Sequence, residues 1–225
     1  AGTAERLPRL HDERVHLREL LRGEQLERWR VRPSPDAILW THDARGAPLA
    51  RLPAHAARWL APWRRALTAR TDARGSAPWW TLYRTEAARS DKPRVVWCDL
   101  GREPRASVLD VGDARVPLNS CYIARCPDLA DADALAALLN SAVARAWLNA
   151  IAEPARGGYR RYFGWTLSLF PVPSDWLRAR DLLAPIGSSA RAGKPPDDCA
   201  LLEAALAAYG VAHTDLAPLV SWMCA

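Results

Sequence analysis

Residues 94–151 decide the fold class of this chain, through RVVWCDL (94–100), ASVLDV (106–111), PLNSCYIARC (117–126) and DADALAALLNSAVARAWLNAI (131–151). The first three segments are rich in β-branched and aromatic residues and predict strands, with 106–111 pairing between the other two. The fourth has apolar residues at helical spacing and begins at Asp131 or Asp133, either of which would serve as an N-cap. Strands in the middle with helices on both sides predict an α+β domain.

Weaker patterns extend this prediction to both ends of the chain. Leu17, Leu20 and Leu21 have helical spacing, and a helix is expected over 54–70, in which Pro62 would either divide the helix or begin a new turn. TLSLFPVP (166–173) has the composition of a strand that ends in a proline turn. The tail predicts helices near 175–184, 198–209 and 215–223, with GSSARAGKPP (187–196) as a loop. The expected architecture is therefore a strand-rich central domain flanked by helices, with a helical C-terminal appendage.

The overall composition excludes several classes of protein. Hydrophobic residues make up 49% of the 225 residues and charged residues 25%, which is ordinary globular usage rather than that of a disordered, collagen-like or coiled-coil chain. No apolar run approaches the roughly 18 residues of a membrane span, and the first residues lack the apolar stretch of a signal peptide. We therefore expect a cytoplasmic protein that has no membrane partner.

The charged and aromatic residues are distributed unevenly. Only Lys92 and Lys194 are lysines among the 31 basic residues, and the chain has 11 tryptophans but two phenylalanines. The first 165 residues hold 27 basic and 19 acidic residues, a net charge of +8, whereas the last 60 carry −2. A concentration of guanidinium groups suits a polyanion such as nucleic acid. A GC-rich coding bias would also raise arginine and alanine, although it would not explain the tryptophans.

Sequence motifs for catalysis are absent. The chain has no GxxxxGK[ST] phosphate loop, no GxSxG elbow, no HExxH and no glycine-rich dinucleotide turn. Its five cysteines are irregularly spaced and lack the paired spacing of a zinc site, so we interpret them as reduced and mostly buried. We therefore predict no catalytic residue, metal ligand or cofactor site in this chain.

Two clusters combine arginine with aromatic residues. The sequence ARGGYRRYFGW (155–165) supplies the first set of candidate DNA contacts: Arg156, Gly157, Gly158, Tyr159, Arg160 and Arg161. Arg84, Lys92 and Arg94, near Trp79 and Trp80, form a second set. Arginine can pair with guanine edges or phosphates, aromatic rings can stack on bases, and glycines allow a close approach. The alternatives are that Trp79, Trp80 and Trp97 fill the core, and that Arg84 and Arg94 pair with Glu86, Asp91 or Asp99.

The order of motifs along the chain adds a family resemblance. The relevant segments are LRELLRGEQLERW (17–29), ALTARTDARGSAPWWTLYRTE (66–86), KPRVVWCDL (92–100), LNSCYIA (118–124), ALAALLNSAVARAWL (134–148) and ARGGYRRYFGWTLSLFPVP (155–173). In this order they resemble the C-terminal specificity domain of TaqI-like adenine-N6 DNA methyltransferases, including fused restriction-modification enzymes. The resemblance covers residues 17–173.

The resemblance implies a target recognition domain that binds duplex DNA and determines which sequence is presented to a methyltransferase. S-adenosylmethionine and the base-flipping tetrad would belong to a catalytic domain, either N-terminal in the same chain or on a separate subunit. Residues 1–16 would then be a linker, 17–173 the recognition domain and 174–225 the helical appendage. Such a domain would act in restriction-modification or phage defence.

Two alternatives remain. The first is a protein-interaction or scaffold domain of a nucleic-acid-processing assembly, because arginine and tryptophan are also enriched at protein interfaces. The second is a standalone hydrolase, which would need a concave site lined by histidine and acidic residues that no sequence motif indicates.

Overall fold

The computed structural model describes residues 16–43, 45–71 and 77–223, with side chains to residue 219. The chain forms two units, each assembled from separate stretches of sequence. Unit 1 consists of the described parts of Ala1–Leu21, Pro33–Asp91 and Gly112–Pro117, and unit 2 of those of Arg22–Arg32, Lys92–Val111 and Leu118–Ala225. Both helices and strands are present, so the predicted α+β class is confirmed. Residues 1–15, most of the expected linker, lie outside the described part.

Unit 1 contains a small sheet in the order β2-β1-β6. Strand β1 (Leu17–Leu21) pairs antiparallel with β2 (Ala37–Leu39) and parallel with β6 (Val116–Pro117). The helix expected around Leu17–Leu21 was therefore wrong. A short apolar run is compatible with either a helix or a buried strand, and pairing on both edges decides the matter here.

The predicted helix over 54–70 is divided at Pro62, one of the two outcomes that the sequence allowed. Helix α1 (Ala54–Leu60) is followed by a 3-10 turn at Ala61–Trp63 and by α2 (Arg64–Thr68). Proline lacks the N–H that a continuous helix requires. Of the residues in these three elements, only Ala56 is buried.

The main sheet of unit 2 has the strand order β5-β3-β7. Strand β3 (Arg94–Cys98) lies in the centre, antiparallel to both β5 (Ala106–Leu109) and β7 (Cys121–Arg125). The strand predictions are confirmed, but the expectation that 106–111 lies between the other two was wrong. Every residue of β3 is buried, which fits a strand that is paired on both edges.

The long helix predicted over 131–151 is two helices. These are α3 (Leu129–Leu139) and α4 (Ala142–Ile151), bent by 67° at their junction. The N-cap of α3 is Asp128, which accepts a hydrogen bond from the backbone N–H of Asp131, so neither Asp131 nor Asp133 has that role. Ser141 caps α4 by accepting from Ala144. Trp147, expected in the buried stripe, is 38% exposed.

The chain after α4 is more helical than expected. Strands β8 (Glu153–Pro154) and β9 (Arg160–Arg161) precede α5 (Gly164–Ser168), which replaces the strand predicted over 166–173. The remaining helices are α6 (Trp176–Arg191), α7 (Asp198–Tyr209) and α8 (His213–Met223). Helix α6 continues through Pro185 and into the predicted loop 187–196.

The C-terminal helices belong to the same core as the main sheet. Buried side chains of α3, α4, α6 and α7 form one hydrophobic cluster with Val95, Trp97 and Ala106. Trp97 is therefore a core residue, as the sequence allowed. Residues 174–223 form three helices with short connections, in agreement with the predicted helical tail, and they belong to unit 2.

Candidate nucleic-acid interface

The first arginine cluster lies on a third sheet, within unit 2, in the order β4-β9-β8. Strand β9 occupies the centre, and Arg161 lies opposite Leu100 of β4 (Leu100–Gly101) on one side and Glu153 of β8 on the other. Strands β8 and β9 therefore form an antiparallel hairpin. Its tip carries Gly157 and Gly158.

The hairpin tip is a 3-10 turn at Arg156–Gly158. Ala155 donates its N–H to the carbonyl of Tyr159 at 2.7 Å, which closes the hairpin. Gly157 and Gly158 have φ angles of 71° and 76°, a region that side-chain-bearing residues rarely adopt. Nothing lies within 4 Å of a Cβ built on Gly158, so its backbone conformation, and not a lack of space, favours glycine there.

The polar and aromatic side chains of the hairpin are mostly exposed. Arg156, Tyr159 and Arg161 are exposed, and Arg160 is half-buried, where it donates to the carbonyl of Ala152 at 3.3 Å. The Arg161 guanidinium lies 5.8 Å from the ring centre of Phe163. The structure therefore brings together all six residues of the first predicted set.

Arg102 is an additional member of this surface. Its guanidinium carbon lies 5.5 Å from the ring centre of Tyr159, within range of a cation–π contact. Arg102 is exposed and follows β4 directly, so pairing between β4 and β9 places it beside the hairpin. Sequence reasoning missed it because almost 60 residues separate it from Tyr159.

The arginines of this surface form no ion pair with any residue that the structure describes. Within the described residues, the guanidinium groups of Arg102, Arg156, Arg160 and Arg161 make no salt bridge to a carboxylate, although Glu153 lies on the neighbouring strand. Other arginines of unit 2 are paired, such as Arg180 with Asp128 and Arg191 with Asp133. Positive charge that no internal carboxylate neutralises is available to an external anion.

Tyr162 anchors the hairpin to the core of unit 2. It is fully buried, its hydroxyl hydrogen-bonds Oδ1 of Asn149 at 2.5 Å, and burial raises the pKa of that hydroxyl above its usual value. Trp97 donates its indole N–H to the Tyr162 carbonyl at 2.9 Å. Arg160 and Arg161 thus directly precede a residue that is buried and hydrogen-bonded within unit 2.

The second predicted set is divided between the two units. Arg84, in unit 1, is exposed with a φ of 55°, and its guanidinium carbon lies 5.0 Å from the Tyr83 ring centre. Lys92, in unit 2, is also exposed. Arg94 must be corrected as a candidate, because it begins the central strand β3 and its side chain is fully buried. A buried guanidinium cannot reach DNA in this conformation.

Three of the cysteines are buried within the fold. Cys98, Cys121 and Cys126 are buried in unit 2, as expected, and burial raises the pKa of Cys121 to about 12 and that of Cys126 to about 11. Such thiols stay protonated at neutral pH and do not act as nucleophiles. The described residues contain no group of three or more histidine, cysteine or acidic side chains arranged to hold a metal ion.

Each helix that the structure describes is shorter than a membrane span. No single helix among them is long and apolar enough to cross a membrane, and only α3 and α4 taken together, with their 67° bend, reach that length.

Comparison with known proteins identifies a fold. No protein-family model matches the chain, and no curated protein is significantly similar to it in sequence. Among solved structures, it is similar to the Type IIL restriction-modification enzyme MmeI in complex with DNA, with a TM-score of 0.59 and 12% identity. The match covers 99% of this chain and 32% of MmeI, so the chain spans about a third of that enzyme's length. A restriction-modification enzyme thus contains this fold, whereas the narrower TaqI-like resemblance stays a prediction.

Proposed function

We propose that this chain is the DNA-binding specificity domain of a restriction-modification enzyme. The observation that carries the proposal is the β8–β9 hairpin, in which exposed Arg156 and Arg161 and half-buried Arg160 surround an exposed tyrosine and have no carboxylate partner among the described residues. The structural neighbour is a restriction-modification enzyme that was solved with DNA, and it supports the proposal at the level of fold.

The hairpin has the size and chemistry of a groove-reading element. The major groove of B-DNA admits a two-stranded β-ribbon, and arginine forms bidentate hydrogen bonds with O6 and N7 of guanine. Arg156 lies in the tip and Arg160 and Arg161 on the second strand, so a ribbon inserted by its tip would bring all three near the bases or phosphates. Gly157 and Gly158 add no side chain that would obstruct this approach.

The finer parts of the proposal concern the rest of the enzyme. We infer that the partner is a methyltransferase, in the same chain or on a separate subunit, that binds S-adenosylmethionine and methylates adenine at N6. Support comes from the order of motifs over residues 17–173 and from the coverage, since two thirds of the neighbour lies outside the matched part. In this arrangement the present chain selects the site and takes no part in the chemistry.

Salt-dependent DNA binding tests the proposal. Fluorescence anisotropy with a mixed-sequence duplex should show binding that weakens as salt rises, because each phosphate contact releases counterions. The triple variant R156A/R160A/R161A should weaken duplex binding at least tenfold. R30A/R32A/R178A removes the same charge from exposed positions elsewhere in unit 2 and should change it less than threefold. Equal affinities for the two variants would refute the role of the hairpin.

One observation favours the scaffold alternative. An exposed apolar surface follows β9, in which Trp165, Leu169 and Val172 are each at least 50% exposed. Apolar surface of this kind is typical of protein contacts. Retention on heparin or duplex DNA at low salt separates the two functions, because a pure scaffold would elute early. Early elution together with unimpaired folding would favour the scaffold.

A further inference from the structure

The segment 45–71 of unit 1 is strongly and uniformly basic. It contains six arginines and no aspartate or glutamate, and the arginines are Arg45, Arg51, Arg58, Arg64, Arg65 and Arg70. A solvated protein face ordinarily mixes charges of both signs. A stretch of 27 residues with one sign of charge therefore indicates an anionic partner.

The two short helices of this segment expose tryptophan beside arginine. Trp59 is 37% exposed and Trp63 59%, and they are four residues apart along a backbone that stays close to helical values. Residues at this spacing share one face of a helix. Arg58 and Arg65 are exposed and make no ion pair within the described residues. Arg58, Arg64 and Arg65 lie beside these tryptophans in sequence, on adjoining sides of the same short helices. We call the surface that carries Arg58, Trp59, Trp63, Arg64 and Arg65 the Arg–Trp face.

Packing within unit 1 does not explain these residues. Ala56 is the only buried residue in α1, the 3-10 turn and α2, and Trp63 leaves most of its surface to solvent. Arg64 and Arg65 line an open groove of about 570 Å³, together with Ala61, Pro62, Thr68 and Ala69. The Arg64 guanidinium carbon also lies 5.5 Å from the Trp79 ring centre, which holds that side chain beside the groove.

We propose that the Arg–Trp face binds single-stranded DNA, with Trp59 and Trp63 stacking on unpaired bases and Arg58 and Arg65 contacting the phosphates. Proteins that bind unpaired strands combine a positive groove with exposed aromatic rings, and each stacked base contributes substantially to affinity. This site is separate from the β8–β9 hairpin and goes beyond the proposed recognition of a duplex.

The combination of residues favours a single strand over other occupants. In a duplex the bases are stacked on one another, so two exposed indoles would gain little there, whereas the faces of unpaired bases are accessible. Tryptophan and arginine are also frequent at protein interfaces, but a protein partner would have to supply a matching acidic surface. A nucleic-acid strand carries one phosphate for every base and satisfies both residue types along its length.

Binding of fluorescein-labelled (dT)20 to the full chain at 50 mM salt tests this proposal. The wild type should bind (dT)20, and W59L/W63L should bind it at least tenfold more weakly, since leucine cannot stack on a base. W63L alone, at the more exposed position, should show a clear part of this loss with an unchanged circular dichroism spectrum. R58A/R65A should lower the dependence of log Kd on log salt by about 1.4, or ~0.7 per phosphate contact.

Two controls separate this proposal from the function of the hairpin. W165L removes an exposed tryptophan from unit 2 and should leave (dT)20 binding unchanged. R156A/R160A/R161A should lose duplex affinity and keep (dT)20 affinity. A wild type that does not bind (dT)20, or a W59L/W63L variant that binds it as well as the wild type, would overturn the proposal and leave protein contact as the role of this face.

Discussion

Asn140 and Ala106 are joined by two buried hydrogen bonds. The Ala106 N–H donates to Oδ1 of Asn140 at 2.9 Å, and Nδ2 of Asn140 donates to the Ala106 carbonyl at 2.9 Å. Asn140 is 6% exposed and Ala106 is fully buried. One amide side chain, at the bend between α3 and α4, thus acts as a partner for the first residue of β5 and ties the helices to the main sheet.

Replacing Asn140 with alanine should therefore destabilise unit 2. N140A removes both hydrogen bonds, and although the Ala106 carbonyl still accepts from the Trp29 N–H at 3.0 Å, the Ala106 N–H is left buried without its partner. Losing two hydrogen bonds and stranding one donor should cost about 2–3 kcal/mol. Urea unfolding measures this cost, and N119A, at an exposed asparagine, should change stability by less than about 0.5 kcal/mol. Similar midpoints for the two variants would contradict the structural role of Asn140.

The same residue explains why the sequence predicted one helix where there are two. Apolar residues continue at helical spacing on both sides of Asn140, from Leu135 to Leu148, and Asn and Ser are only mildly unfavourable inside a helix. The break combines one long-range contact, between Asn140 and Ala106, with a local one, because Ser141 caps the next helix. Local patterns predicted the existence of the helical segments and of β3, but they do not carry information about a partner 34 residues away.

Gly187→Ala should separate α6 from α3. A Cβ at Gly187 would lie 2.1 Å from the carbonyl oxygen of Asp133, and this is backbone that cannot rotate away. We expect a loss of about 2 kcal/mol or more, because overpacking outweighs the gain of roughly 1 kcal/mol in helix propensity. S188A, at the exposed neighbouring position, is the matched control and should differ little from wild type. A G187A variant with wild-type stability in urea would show that α3 and α6 lie further apart than the 2.1 Å between the added Cβ and the Asp133 carbonyl oxygen implies.

The sequence predicted the site residues that are neighbours along the chain. It did not predict the residue that only strand pairing brings to the site. Arg156, Tyr159 and Arg161 were found because basic, aromatic and glycine residues follow each other in sequence. Arg102 was missed because only the β4–β9 pairing brings it to Tyr159. Arg94 was misassigned because arginine is seldom fully buried, and its charge therefore suggested an exposed side chain. In the structure it begins the central strand β3 and is fully buried.

His42 should make the stability of unit 1 depend on pH. Burial lowers the pKa of His42, with Arg18 lowering it further and Asp43 opposing the shift. The unfolded chain, with its usual histidine pKa of about 6.5, then takes up the proton at a higher pH than the folded chain does. The stabilisation that neutral His42 contributes is complete above the unfolded-state pKa of about 6.5. It is lost as the pH falls from there through the lower pKa of the folded state.

Melting temperatures between pH 7.5 and pH 5 test this expectation. Wild type and H55Q, which replaces an exposed histidine, should both lose stability over this range. At pH 7.5 the melting temperature of H42Q should be lower than that of wild type, because His42 accepts a hydrogen bond from the Leu82 N–H at 3.3 Å. On acidification the melting temperature of H42Q should fall less. Parallel pH profiles for H42Q and H55Q would rule out His42 as the titrating group.

Single substitutions in the hairpin and at Arg102 beside it should distinguish a phosphate contact from a base contact. Arg102 stacks beside Tyr159 at the edge of the sheet, and Arg156 lies at the tip between β8 and β9. If the tip enters the groove, R156A should weaken binding by ~1–3 kcal/mol for one particular base pair and relax the preference there. R102A should instead weaken all duplexes alike and lower the salt slope by about one unit, as the loss of one phosphate contact would. Binding to a set of duplexes with single-base changes, measured at four salt concentrations, gives both quantities. If R156A lowers only the salt slope, the hairpin lies along the backbone and base recognition must come from another surface.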